Sequence, residues 1–165
     1  MLLWTLASFL DKFQNPLVLL LLLVLYVLID VETTQPLSHL KIPKTKYVQL
    51  VIDWCHAHLK LSNTIKPSVL LKYHPNKQYK GYYNPVAHEV VIYVNEHTSI
   101  QALTNTVIHE YIHARQKSRS FNQQYAQYTQ EKGYWHNPYE IEARTLSKQH
   151  EQACLKALSA YVKET

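Results

Sequence analysis

Two histidines four residues apart, with a glutamate directly after the first, stand at His109-Glu110-Tyr111-Ile112-His113. On an α-helix, residues i and i+4 lie one turn apart on the same face. The imidazoles of His109 and His113 can therefore reach one metal ion, and such donors suit tetrahedral Zn2+. Glu110 falls beside that face, where its carboxylate can take a proton from water activated by the metal. A chain with ten histidines and this many glutamates would show the pattern by chance about three times in a hundred. The flanking sequence therefore has to supply the helix that the chemistry needs.

It does. Thr98-Ser99-Ile100-Gln101 has the form of a capping box, with Thr98 as N-cap and Gln101 reaching back. Ile100, Leu103, Val107 and Tyr111 then mark one apolar face, and Arg115 and Lys117 suit a helix C-terminus. Ahead of this helix, Ser68 to Tyr73, Gly81 to Tyr83 and His88 to Val94 read as three strands separated by turn chemistry at His74-Pro75-Asn76-Lys77 and Asn84-Pro85. The expectation is a small antiparallel meander, with the strand His88 to Val94 pairing with an extended peptide.

Two histidines and a water leave a tetrahedral zinc one protein ligand short, and a glutamate from a second helix can complete it. Asn137-Pro138 opens such a helix, with Asn137 as N-cap and Pro138 at its first position. It carries Glu140 and Glu142. They are about 200° apart on a helix, and each lies off the apolar face of Tyr139, Ala143, Leu146, Ala153, Cys154, Ala157 and Tyr161. Glu140 can equally serve as a capping-box residue and Glu142 as a surface residue, so periodicity leaves both open. Tyr134, His136, Tyr139 and His150 are candidates to stabilise a transition state.

Strand, H-E-x-x-H helix and later glutamate helix together resemble the gluzincin metallopeptidases, whose compact members include the minigluzincins and the ImmA/IrrE-like peptidases. The resemblance spans roughly residues 68–158. Many gluzincins place the metal-binding glutamate three before an alanine, and Glu140-Ile141-Glu142-Ala143 fits that form. It thus implies Glu140 as third ligand, one zinc ion, and hydrolysis of a peptide or protein substrate with Glu110 as general base. The acid that often follows the alanine is absent, because position 144 is Arg. The competing expectation is a membrane-tethered, non-catalytic or latent zinc-binding module that acts through protein partners.

The remainder of the chain bounds these readings. Only two glycines leave no phosphate-cradling loop, and two cysteines make no disulfide framework. Cys55 and Cys154 are expected as buried small hydrophobes. The formal charge of +5 comes without a block of like charges, so no nucleic-acid partner is expected. The uncharged run Phe13 to Ile29, about 26 Å long as a helix, reads as an uncleaved single-pass membrane anchor. The lysines on either side of it weakly favour a cytoplasmic C-terminal domain. Residues 31–45, with Pro36 and Pro43, read as a linker. Lys46 to Leu61 reads as an amphipathic helix through Tyr47, Leu50, Val51, Trp54, Cys55 and Leu59. The expected whole is an α+β, zincin-like domain over 46–165: an antiparallel three-stranded sheet on an active-site helix and a glutamate helix, preceded by an N-terminal hydrophobic helix over 1–30.

Overall fold

The computed structural model describes residues 35–59, 65–76, 78–117 and 120–163. These fall in a compact unit that begins at Gln35. Among the described residues, four α-helices and three strands carry the fold: α1 Lys44–His58, β1 Ser68–Lys72, β2 Gly81–Asn84, β3 Glu89–Tyr93, α2 Ile100–Gln116, α3 Phe121–Lys132 and α4 Pro138–Ala157. The general class is α+β, as expected.

The sheet differs from the expected meander. Its order is β1-β3-β2, with β1 parallel to β3 and β2 antiparallel to it. Val90, Val91 and Ile92 of β3 are buried on both faces of the sheet. A continuous apolar run of this kind belongs in a central strand. β2, Gly-Tyr-Tyr-Asn, cannot fill that place and takes an edge. This corrects the role given to the strand His88 to Val94. Both edges of β3 are already paired, so it has none left for a peptide.

The turn that returns β2 to β3 is built by Asn84, whose Oδ1 accepts from the N–H groups of Val86 and Ala87 at 3.0 and 3.2 Å. It ends at His88, which has a left-handed φ of 50°. The His88 ring is held at both nitrogens. Nε2 donates to the Ile65 carbonyl at 2.6 Å, which leaves Nδ1 to accept from the Tyr83 hydroxyl at 2.7 Å.

Helix α2 packs against α1, α4, β2 and β3. That environment explains why Ile100, Leu103, Val107, Ile108 and Ile112 are all fully buried. From α1 come Tyr47, Val48, Val51, Ile52 and Cys55, also fully buried. Each such aliphatic side chain contributes about 1.5–3 kcal/mol on removal from water. The Tyr47 hydroxyl meets Thr104 Oγ1 at 2.8 Å, and Thr104 donates to the Ile100 carbonyl at 2.8 Å. Cys55 and Cys154 are buried and unbridged.

The cap of α2 lies one residue later than the capping-box reading placed it. Ser99 is extended and its Oγ accepts from Ala102 N–H at 3.1 Å. Ser99 also bridges Pro36, and Gln101 Oε1 accepts from Gln35 N–H at 3.0 Å. Residues 35–43, which show no periodicity, are thus tied to α2 and, through a Leu40–Val162 bridge, to the end of the chain.

The run 13–29 and the expected N-terminal hydrophobic helix lie outside the described residues. Among the described residues no helix is long and apolar enough to cross a membrane. The single-pass membrane assignment is therefore corrected: no described helix supports a span. The longest described helix, α4, carries Glu140, Glu142, Arg144, Lys148, Glu151 and Lys156 along its length, and charges so placed are costly in a bilayer.

Candidate metal centre

His109 and His113 lie in the last two turns of α2, and their rings meet edge to face with centroids 4.8 Å apart. The two Nε2 atoms are 3.1 Å apart. Glu140 reaches them from the first turn of α4. Its Oε2 is 3.3 Å from His109 Nε2 and its Oε1 is 3.2 Å from His113 Nε2. Asn137 caps α4 as expected, accepting from Tyr139 N–H at 3.0 Å, with Pro138 next to it. The cap side chain also donates to the Tyr125 carbonyl and to Thr129 Oγ1, at 3.1 and 2.9 Å. That ties the start of α4 to α3.

These three residues form a group that could hold one metal ion. The separations suit such an ion. Bonds of about 2.0–2.1 Å to a tetrahedral centre place neighbouring donors about 3.3–3.4 Å apart, close to the 3.1–3.3 Å found here. Glu140 is 2 % exposed, and its Oε2 has no hydrogen-bond partner. The Arg144 guanidinium, 3.7 Å away, is beyond hydrogen-bond distance of that oxygen, and a buried carboxylate oxygen without a hydrogen bond gains from a closer cation. Burial by itself would raise the Glu140 pKa. The imidazoles of His109 and His113 and the Tyr125 hydroxyl outweigh it and hold the group well below the usual carboxylate range. Burial likewise pulls the His113 pKa down, but Glu140 and Glu110 more than offset it and the net shift is upward.

Glu110 is 7 % exposed and opens onto the same cavity as the cluster, a space of about 490 Å³. Burial pushes its pKa up, opposed by His113 and His109 and by a hydrogen bond from the Tyr83 backbone. Tyr82, Tyr83 and Tyr93 line one part of the cavity, and Phe121, Tyr125 and Tyr134 another. Gly81 lines it too. A Cβ there would stand 3.0 Å from Val91 O and Ile92 Cδ1 of β3 and from Thr106 Cγ2 of α2, so glycine suits the close approach of β2 to both elements.

Glu142 does not join the cluster. It pairs with Arg115 at 2.7 Å and accepts from Gln116 Nε2 at 2.9 Å. Of the four candidate stabilisers, only Tyr134 lines the cavity. Tyr139 turns its hydroxyl to Gln124 Oε1 at 2.5 Å and packs on Phe121. His136 is exposed, and His150 lies beside Trp54 with ring centroids 6.4 Å apart. Sequence reasoning missed Tyr125, whose hydroxyl donates to Glu140 Oε1 at 2.6 Å. Nothing but the abundance of tyrosine pointed to it. Arg144, the departure from the gluzincin pattern, places one guanidinium nitrogen 3.7 Å from Glu140 Oε2 and another 2.5 Å from the Trp135 carbonyl, stacked over the Trp135 ring.

No protein-family model matches the chain, and neither a curated protein nor a solved structure matches it. The His-His-Glu cluster is compatible with a zincin, and that likeness rests on the residues themselves.

Proposed function

We propose that this chain is a zinc-dependent peptidase. The observation that carries the reading is a buried carboxylate, Glu110, opening onto the same cavity as a three-donor cluster. Two imidazoles and one carboxylate are a donor set that suits zinc, held here by His109, His113 and Glu140. When bound, the ion supplies Lewis acidity toward a carbonyl oxygen and toward water. Glu110 accepts the proton of the attacking water and delivers it to the leaving nitrogen. Tyr134, on the cavity wall, donates to the developing oxyanion.

The edge of β2 turned away from β3, which no other strand among the described residues covers, supports an extended peptide as substrate. Tyr93 N–H donates to the Lys80 carbonyl at 3.0 Å. Antiparallel alternation then turns the backbone of Gly81 and Tyr83 away from β3 and toward the cavity they line. A peptide laid along this edge pairs with Gly81, beside Glu110. Seven of the lining residues are aromatic and none is Lys, Arg or Asp, which favours a large apolar side chain next to the scissile bond.

A second reading, a latent form, has the Tyr125–Glu140 contact in its favour, because α3 then covers a ligand of the metal. The deciding experiment loads the full chain with zinc and presents a library of extended peptides. Chelator-sensitive cleavage beside aromatic or aliphatic residues supports the peptidase. Stoichiometric zinc uptake with no turnover favours the latent form, and no zinc uptake removes both.

A further inference from the structure

Gln116 closes α2, three residues after His113, and its side-chain amide is held at both ends. Nε2 donates to the Tyr139 carbonyl at 3.0 Å and to Glu142 Oε2 at 2.9 Å. A backbone carbonyl can only accept, so the end of the amide facing Tyr139 has to be the NH2 group. Oε1 is then the atom that faces His113 Nδ1, at 2.8 Å. An amide oxygen can only accept in turn, so Nδ1 has to carry the hydrogen. The neutral His113 ring is left with its lone pair on Nε2, the nitrogen that faces His109 and Glu140.

The far end of this chain of contacts is also fixed. Glu142 is clamped by Arg115 at 2.7 Å, so the acceptor that orients the amide is itself held by a residue of α2. The arrangement thus runs from Arg115 through Glu142 and Gln116 to His113 and spans the junction of α2 with α4. It also gives Glu142 and Arg115 a reason to face one another across that junction.

We infer that Gln116 is a positioning residue that fixes the Nδ1–H tautomer of His113 and so presents its Nε2 to a metal ion. The inference rests on the metal-site reading above and not on hydrolysis. A ligand histidine whose other nitrogen is tied down by a partner binds more tightly, and loss of such a partner typically costs about 10–100-fold in metal affinity.

The test uses the full chain and measures zinc affinity by competition with a chromophoric chelator, together with the His113 tautomer by nitrogen-15 NMR on the zinc-free protein. Q116M keeps the length of the side chain and removes both functions of the amide. It should bind zinc about 10–100-fold more weakly and show His113 in mixed tautomers. Q116E keeps an acceptor for Nδ1–H but sets a carboxylate against Glu142, so it should also bind weakly. Adding E142Q returns a donor to that contact and should recover part of the loss. The role of Gln116 is overturned if Q116M binds zinc as tightly as the parent with an unchanged tautomer, or if E142Q gives Q116E no recovery. A parent that takes up no zinc overturns the metal-site reading, and this inference with it.

Discussion

The hydroxyl of Tyr125 donates a 2.6 Å hydrogen bond to Oε1 of Glu140, linking a helix with one buried residue, Phe121, to the third donor of the cluster. A donor on a ligand carboxylate both orients it and tempers its charge. Tyr125→Phe should therefore weaken zinc binding by about 10-fold while leaving the fold intact. Chelator competition reads this directly. An unchanged affinity would mean that the Tyr125 hydroxyl does not orient Glu140 for the metal.

Glu110→Gln should retain zinc and lose hydrolysis. The amide keeps the shape of the side chain but cannot accept the proton. A fall of at least about 10²–10⁴-fold in kcat is expected, with zinc stoichiometry still at one. A variant that cleaves as fast as the parent would remove Glu110 from the chemistry.

Glu140→Ala and Glu142→Ala should separate cleanly. The first removes a donor from the cluster and should abolish stoichiometric zinc binding. The second removes the half-exposed partner of Arg115 and Gln116 and should keep the ion with reduced affinity. Its effect on stability should be small, about 0–1 kcal/mol, because one member of the pair is well solvated. Metal analysis after gel filtration distinguishes them, and the reverse pattern would move the ligand to Glu142.

Gly81→Ala should destabilise the fold by about 1–3 kcal/mol, since one of the three atoms its methyl group would meet at 3.0 Å is a backbone oxygen that cannot rotate away. A urea melt with unchanged slope and a lower midpoint would show it. An unchanged midpoint would mean that β2 can give against β3 and α2 without cost.

Stability should fall as pH rises from about 10 to 12. Burial pushes the Tyr47 pKa from 10.0 up to about 12, against a lowering by Thr104. Below pH 10 both folded and unfolded chains keep the proton, so the shift has no effect there. Between the two values the unfolded chain releases it and the folded chain does not, which favours unfolding by up to about 1.4 kcal/mol per pH unit. Burial raises Tyr83 from 10.0 in the same sense, and Cys154 from 9.0, each to about 12, so the share of Cys154 begins near pH 9. Tyr47→Phe should remove one share of the decline, read as a shallower loss of stability in alkaline melts. An identical slope would show that Tyr47 does not titrate with folding.

What was legible in the sequence was local. The period of Ile100, Leu103, Val107 and Tyr111 identified α2, and the i, i+4 spacing put His109 and His113 on one face of it. Asn137-Pro138 marked the start of α4, because a cap is made within a few residues of chain. Tertiary structure decided what depends on distant parts of the chain. The strand order turned on which strand is buried from both sides, which β3 alone can tolerate. Periodicity left Glu140 and Glu142 equivalent; the docking of α4 on α2 turns Glu140 to the imidazoles and Glu142 to Arg115. The same docking brings Gln116 to the Tyr139 carbonyl and Tyr125 to Glu140, contacts between residues 23 and 15 apart. Helix periodicity reports only which face of a helix is apolar. Which polar group on the remaining face meets a partner is set by how the helices pack.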